Sequence, residues 1–246
     1  YQIKTAEQLA QIIYNGGANY YFRLENDIYL NDITKVNWET CDVAIGYTMN
    51  EWFNNTYFAG NINGNGYTVH GLYYAVDALN AKSWTVSGVG LVPRVLHGAT
   101  VNITNLGIDH AYINSKHGVS AFVGCAGTDN SNPSNKAEVT IENCYAGKNV
   151  TLVGHSVGVF RAAGRGSNTY IRNCYSLATT NAIGDYGLAS MALDAPIYLD
   201  PCPLFDWVVW SFFFFFNIEL HELFAYFWKL ISCQLHHLQI CRVVMF

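Results

Sequence analysis

Down the middle of the chain the same short order of apolar and polar residues keeps returning. It reads Val69-His70-Gly71-Leu72, Ile103-Thr104-Asn105-Leu106, Ile141-Glu142-Asn143-Cys144 and Ile171-Arg172-Asn173-Cys174. The first position is β-branched and apolar, the second polar, the third Gly or Asn, and the fourth apolar. Alternation over so few residues predicts a short strand with one buried face. Gly or Asn in the third place predicts a left-handed backbone, which these residues tolerate best. Successive phrases lie 34, 38 and 30 residues apart. A unit of about 30 residues cannot bury its apolar face alone, so the units are expected to stack as coils.

A second marker keeps the same beat: Leu91, Phe122, Phe160 and Leu188, each after a small or β-branched residue. From an Ile phrase to the next marker is 19, 19 and 17 residues, and the return is 12, 19 and 11. The coil is therefore nearly constant apart from one insertion. Thr128 to Lys136, built of turn residues, is the expected surface loop that holds it. A last coil opens at Asp185-Tyr186-Gly187-Leu188 and meets no further Ile-x-Asn phrase.

Ahead of the repeats, residues 1–17 predict a short helix. Thr5-Ala6-Glu7-Gln8 is a capping-box pattern, with Gln8 reaching back to Thr5. Leu9, Ile12 and Ile13 share one face, and Gly16-Gly17 marks the stop. So short a helix is marginal by itself and is expected to cap the apolar end of the stack. Next, Asn26-Asp27 turns between Phe22-Arg23-Leu24 and Ile28-Tyr29-Leu30. Trp38, Trp52 and Phe53 are the expected plugs of a polar, aromatic segment. Asn63-Gly64-Asn65-Gly66 then predicts a tight turn between strands.

The phrase from Phe58 to Leu72, F-x-G-x-I-x-G-N-G-Y-T-V-x-G-L, resembles the opening coil of GLUG-type right-handed β-helix modules of bacterial surface and secreted proteins. The T-A-E-Q-L helix, the L-x-N-D-I-x-L strand, and the later Gly-x-Phe and I-x-N-C-Y phrases are similar to parts of the same modules. The resemblance covers about residues 1–194 and transfers no catalytic signature. It implies an all-β, right-handed parallel β-helix of about four coils with adhesion or glycan contact as its role.

Stacking would set equivalent residues about 4.8 Å apart. Asn105, Asn143 and Asn173 are then expected to form an asparagine ladder, with Gly71 heading the column. Cys144 and Cys174 follow it inward, either as two packed thiols or as a disulfide. His70, Thr104, Glu142 and Arg172 form an outward column, with Glu142 and Arg172 expected to pair on the surface. The next outward column is Tyr73, Gly107, Tyr145 and Tyr175. A row of exposed Tyr can stack on sugar rings or on another protein, or simply shield strand edges. Tyr73, Tyr145 and Tyr175 are therefore the candidate binding residues.

Charged residues are only 13% of the chain and the net charge is −5, which gives no sign of a nucleic-acid partner. Seven Cys with no CxxC pair make a disulfide framework or zinc ribbon a poor reading. Tyr1 follows no Met or leader, as in a mature or partial chain. All 21 Gly lie at or before Gly187, and 12 of the 25 residues from Leu204 to Trp228 are aromatic. Residues 195–246 are thus a different kind of sequence. They are a buried helix or improvised cap, or a frameshift or intron read-through in which Phe212 to Phe216 reflects a thymine-rich tract. The apolar run Trp207 to Ile218 is too short to span a membrane.

Candidate chemistry is sparse. No column stacks two carboxylates, as a polysaccharide-cleaving site would require. Asp109 aligns with Gly147 and Leu177. Asp109-His110 with Lys116-His117 is either an acid–base cluster or a set of solvated turn residues. His221-Glu222 lacks the second His of a zinc-protease helix, His236-His237 would face apart, and Gly64-x-Gly66 precedes a strand. No catalytic residue, metal ligand set or cofactor is assigned. The expected role is a non-catalytic repeat module of a larger extracellular or cell-surface protein contacting a glycan or host protein. A carbohydrate-active β-helix enzyme and a passive spacer are the alternatives.

Overall fold

The computed structural model describes residues 1–52, 57–75, 88–127, 135–164 and 167–182, and the backbone of the strands Leu188–Ala189 and Ile197–Leu199. The insertion expected at Thr128 to Lys136 lies almost wholly outside the described residues, as does the tail from Pro201 onward with His221, Glu222, His236 and His237. Among the described residues the chain is all-β, with one α-helix and one short 3-10 turn.

Three of the parallel sheets are built by successive passes of the chain, which returns to them in the same order, beside a two-stranded parallel sheet of Ser156–Val157 and Leu188–Ala189 and an antiparallel pair of Val36–Asn37 and Asp42–Val43. The first sheet takes Gln2–Ile3, Tyr21–Leu24, Asn61–Asn63, Thr100–Thr104, Ala137–Glu142, Ser167–Arg172 and Ile197–Leu199, in chain order. The second takes Ile28–Tyr29, Thr68–Ala75 and Gly107–Asn114, followed by the split pairs Tyr145–Ala146 with Val150–Gly154 and Tyr175–Ser176 with Thr179–Ala182. The third takes Tyr57–Phe58, Val92–Val95, Val123–Ala126 and Arg161–Ala163. Single bridges join Val89, Val119 and Val157 between the second and third.

Apolar residues at alternate strand positions explain the stacking. Phe22, Ile62, Ile103, Ile141 and Ile171 stand in one file of the first sheet, all buried. Leu91, Phe122 and Phe160 form another on the third side, where the Phe122 and Phe160 rings stack at 5.3 Å. A side chain in such a file touches the same kind of side chain above and below it, so β-branched and aromatic residues pack without gaps.

The helix runs Ala6–Tyr14, with Thr5 as N-cap accepting from the Gln8 N–H at 3.3 Å. Gln8 reaches back to the amide of Lys4, not to Thr5. Leu9 and Ile13 belong to the same buried core as the strands that follow, and Gly16 and Gly17 take positive φ as the helix stops.

Asn26-Asp27 and Asn63-Gly64-Asn65-Gly66 turn between two strands as expected, each at a corner from the first sheet into the second, where the strands run parallel to earlier laps. The turn chemistry is as expected, with Asn65 and Gly66 at φ 56° and 85° and the Tyr67 N–H bonded to the Gly64 carbonyl. The repeat phrase at Val69 belongs to the second sheet, because Ile103 pairs with Ile62 and Val69 pairs with Ile108. The first sheet also takes Ile197–Leu199 beside Thr169–Ile171. Finally, Leu188 pairs with Ser156 and not with Phe160.

Candidate functional site

The site arises from a kink shared by two neighbouring strands of the second sheet. His70 lies opposite Asp109 and Leu72 opposite Ala111, so Gly71 and His110 occupy the same level. Both have positive φ, 79° and 51°. In a regular strand the residues between buried Ile108 and buried Ala111 would take opposite faces. The left-handed residue inserts an extra step, as in a bulge, and leaves Asp109 and His110 both half-buried on the outer side. His is one of the few non-Gly residues that enters this region.

The side chains converge closely. His70 Nδ1 is 3.2 Å from His110 Nδ1, which in turn is 3.3 Å from Asp109 Oδ2. The donor atoms of all three lie within 4.8 Å of one another. Asn149, from the next lap, holds the carboxylate from the other side. Its backbone N–H donates to Asp109 Oδ1 at 3.1 Å, and its Nδ2 lies 3.2 Å from Oδ2 and 3.3 Å from His110 Nε2. Tyr29 stacks on His70 with ring centroids 4.8 Å apart, and Trp38 meets His110 edge-on at 6.2 Å. Gly147 is required beneath the cluster, since a Cβ there would run into the Asp109 carboxylate.

Trp38 reaches this place through an excursion of the chain over the outer face of the second sheet. Asn31 closes its base: its Nδ2 donates to the Asn50 and Gly71 carbonyls and its Oδ1 accepts from the Asn50 N–H. Trp38 is buried there, its indole N–H donating to the Ile33 carbonyl and its own carbonyl accepting from the Thr151 hydroxyl. Burial, and next the adjacent His110, push the His70 imidazole below its ordinary range against the pull of Asp27 and Asp109. His117 does not join this cluster: it packs instead on His155 with ring centroids at 5.7 Å.

The expected tyrosine column is partly redrawn. Tyr145 and Tyr175 do stack, at 5.3 Å and 7°. The Tyr145 ring covers Gly107, where a Cβ could not fit, and its hydroxyl shares a 2.8 Å hydrogen bond with Thr68, two strands earlier in the sheet. Tyr73 is not in that column. It pairs in register with Tyr112, their rings 6.3 Å apart, and Thr68 is the residue that stands level with Gly107.

The asparagine column holds Asn63, not Gly71, at its head. Asn143 Nδ2 donates to Asn105 Oδ1 at 3.1 Å, and Asn105 Nδ2 to Asn63 Oδ1 at 3.2 Å. Asn105, Asn143 and Asn173 share φ of 52°, 54° and 49°. Asn143 and Asn173 are exposed, so the column runs along the surface. Asn63 also replaces His70 ahead of Thr104, Glu142 and Arg172. The Arg172 guanidinium lies over the Tyr170 ring at 5.6 Å. Cys144 and Cys174 are buried free thiols, and the Cys144 N–H points at the Cys174 sulfur at 3.4 Å. The hydrogen bond between the two thiols, followed by burial, holds the Cys144 thiol far above its usual range.

Sequence reasoning missed His70 and Asn149 as partners of Asp109 and His110. The usable signal was two polar residues between apolar ones, in Val69-His70-Gly71-Leu72 and again in Ile108-Asp109-His110-Ala111. No protein-family model, curated protein or solved structure matches the chain. Among the described residues no helix is long and apolar enough to cross a membrane.

Proposed function

We propose that the chain is a non-catalytic repeat module of the GLUG type, folded as a right-handed parallel β-helix and carried by an extracellular or cell-surface protein. Its role is to contact a glycan, or a protein, through the outer face of the second sheet. Successive parallel strands joined by crossovers are right-handed in nearly all known sheets, which supports the hand. The contact rests on one observation, the parallel Tyr145 and Tyr175 rings at 5.3 Å, with Tyr175 42% exposed. Flat, exposed phenol rings offer an apolar face to a sugar and a hydroxyl to its polar rim.

A glycan array probed with the wild-type chain and with Tyr175→Ala tests this reading. Binding by the wild type that the variant loses, at unchanged melting temperature, supports it. An array on which both chains bind alike, or on which neither binds, overturns the glycan contact and leaves a spacer. The carbohydrate-active enzyme reading draws on the His70, Asp109 and His110 cluster. That cluster holds a single carboxylate, whereas glycosidic hydrolysis ordinarily uses two. Turnover of acidic polysaccharides would favour the enzyme over both.

A further inference from the structure

We propose that His70, Asp109 and His110 bind a divalent transition-metal ion of the zinc class, with Asn149 orienting the ligands. The spacing carries this. In a tetrahedral site with bonds of about 2.0–2.1 Å to nitrogen and oxygen, ligand atoms stand about 3.3–3.4 Å from one another. His70 Nδ1 and His110 Nδ1 are 3.2 Å apart, and His110 Nδ1 and Asp109 Oδ2 are 3.3 Å apart. Two edges of the tetrahedron therefore already stand at coordination length. Two imidazole nitrogens facing each other so closely cannot both carry a proton. Either one donates to the other, or a cation lies between them.

The ligand set selects the kind of ion. Two imidazole nitrogens and one carboxylate oxygen suit zinc, cobalt, nickel or copper, while calcium and magnesium call for oxygen alone. Three protein ligands leave one position for water or an incoming group. The ligands are also held in advance. Tyr29 stacks on the His70 ring, Trp38 abuts His110, and the Asn149 backbone N–H fixes Asp109 Oδ1. With the ion on Nδ1, the His110 proton sits on Nε2. A half-turn of the Asn149 amide, which lies 3.3 Å away, gives that proton an oxygen acceptor. The same half-turn takes the Nδ2 donor away from Asp109 Oδ2 and sets the amide oxygen beside it, so the Asn149 backbone N–H on Oδ1 is the bond that still holds the carboxylate while Oδ2 turns to the ion.

Cobalt(II) titration of the full chain, followed by visible absorption, tests the site. One saturable, zinc-displaceable site with the spectrum of four-coordinate nitrogen and oxygen ligands is expected, without the sulfur charge-transfer band that a cysteine ligand adds. His70→Phe keeps the ring on Tyr29 and His110→Asn keeps a residue that tolerates positive φ; each is expected to abolish saturable binding. Asn149→Ala is expected to weaken it by about 10–100-fold. His155→Gln, in the other histidine pair, is expected to change nothing. Circular dichroism identifies the variants that remain folded, and one folded ligand variant is enough to decide. A wild type without saturable binding, a sulfur band, an unchanged spectrum in a folded ligand variant, or loss of the site in His155→Gln would each overturn the proposal.

Discussion

Asn143 separates two ways in which a ladder residue can stabilise a stack, through its amide or through its backbone. Its φ is 54°, and its Nδ2 donates to Asn105 at 3.1 Å. An ordinary L-residue in the left-handed region carries a cost of about 1–2 kcal/mol. A net hydrogen bond contributes about 0.5–1.5 kcal/mol, and on an exposed flank water replaces much of it. Asn143→Ala keeps the φ requirement and loses the rung, so a loss of about 1–2 kcal/mol is expected, mostly from backbone strain. Asn143→Gly also loses the rung but relieves the backbone, and should stay within about 1 kcal/mol of wild type. For a domain of this size each kcal/mol moves the melting temperature by about 2–4 °C, within reach of calorimetry. Equal stability of the Ala and Gly variants would refute the backbone argument. A loss of the same size in both variants would show that the amide rung they share in losing dominates.

Ile141 is fully buried between Ile103 and Ile171, and Ile141→Ala should cost about 2–5 kcal/mol by denaturant titration. Gly147→Ala places a methyl against the Asp109 carboxylate, so it should cost about 1–3 kcal/mol and weaken cobalt binding, read by the same titrations. Burial, then His155 and Lys116, hold the His117 imidazole below its ordinary 6.5. On acidification the unfolded chain takes up that proton first, so the contribution of His117 is complete above about pH 6.5 and is lost as pH falls below it. His117→Gln should therefore flatten the fall in urea midpoint between about pH 7.5 and pH 5.

The first sheet was legible because its signal is both local and repeated. Ile-x-Asn-Cys at Ile141 and Ile171, and Ile-x-Asn-Leu at Ile103, couple an inward β-branched residue to a left-handed corner; all three stand in register. The phrase at Val69 matches the same four columns by accident of chemistry. A strand that bulges at Gly71 shows the same apolar, polar, Gly, apolar order as a strand that ends in a corner. Local pattern cannot distinguish a kink within a strand from a turn at its end, since both need the same backbone region. Pairing with the next lap decides between them, and that is tertiary information. The Tyr73 misplacement follows directly, because its column is counted from the Val69 phrase.

The histidine cluster was illegible for a related reason, and its geometry shows why such a site can arise on a repeating scaffold at all. In an unbroken strand neighbouring residues face opposite ways, so adjacent Asp109 and His110 should never share a ligand. The left-handed step at His110 cancels that alternation, and the matching step at Gly71 lets His70 stay level with Asp109. The following lap keeps neither step. It opens a three-residue gap, Gly147-Lys148-Asn149, between the strands that pair with Ile108 and Ala111. That gap removes the side chain where the carboxylate must lie and brings Asn149 up to hold it. The cluster therefore exists only where three successive laps depart from a regular strand, two by the same left-handed step and the third by a gap, and a reading built on the regular repeat passes over it.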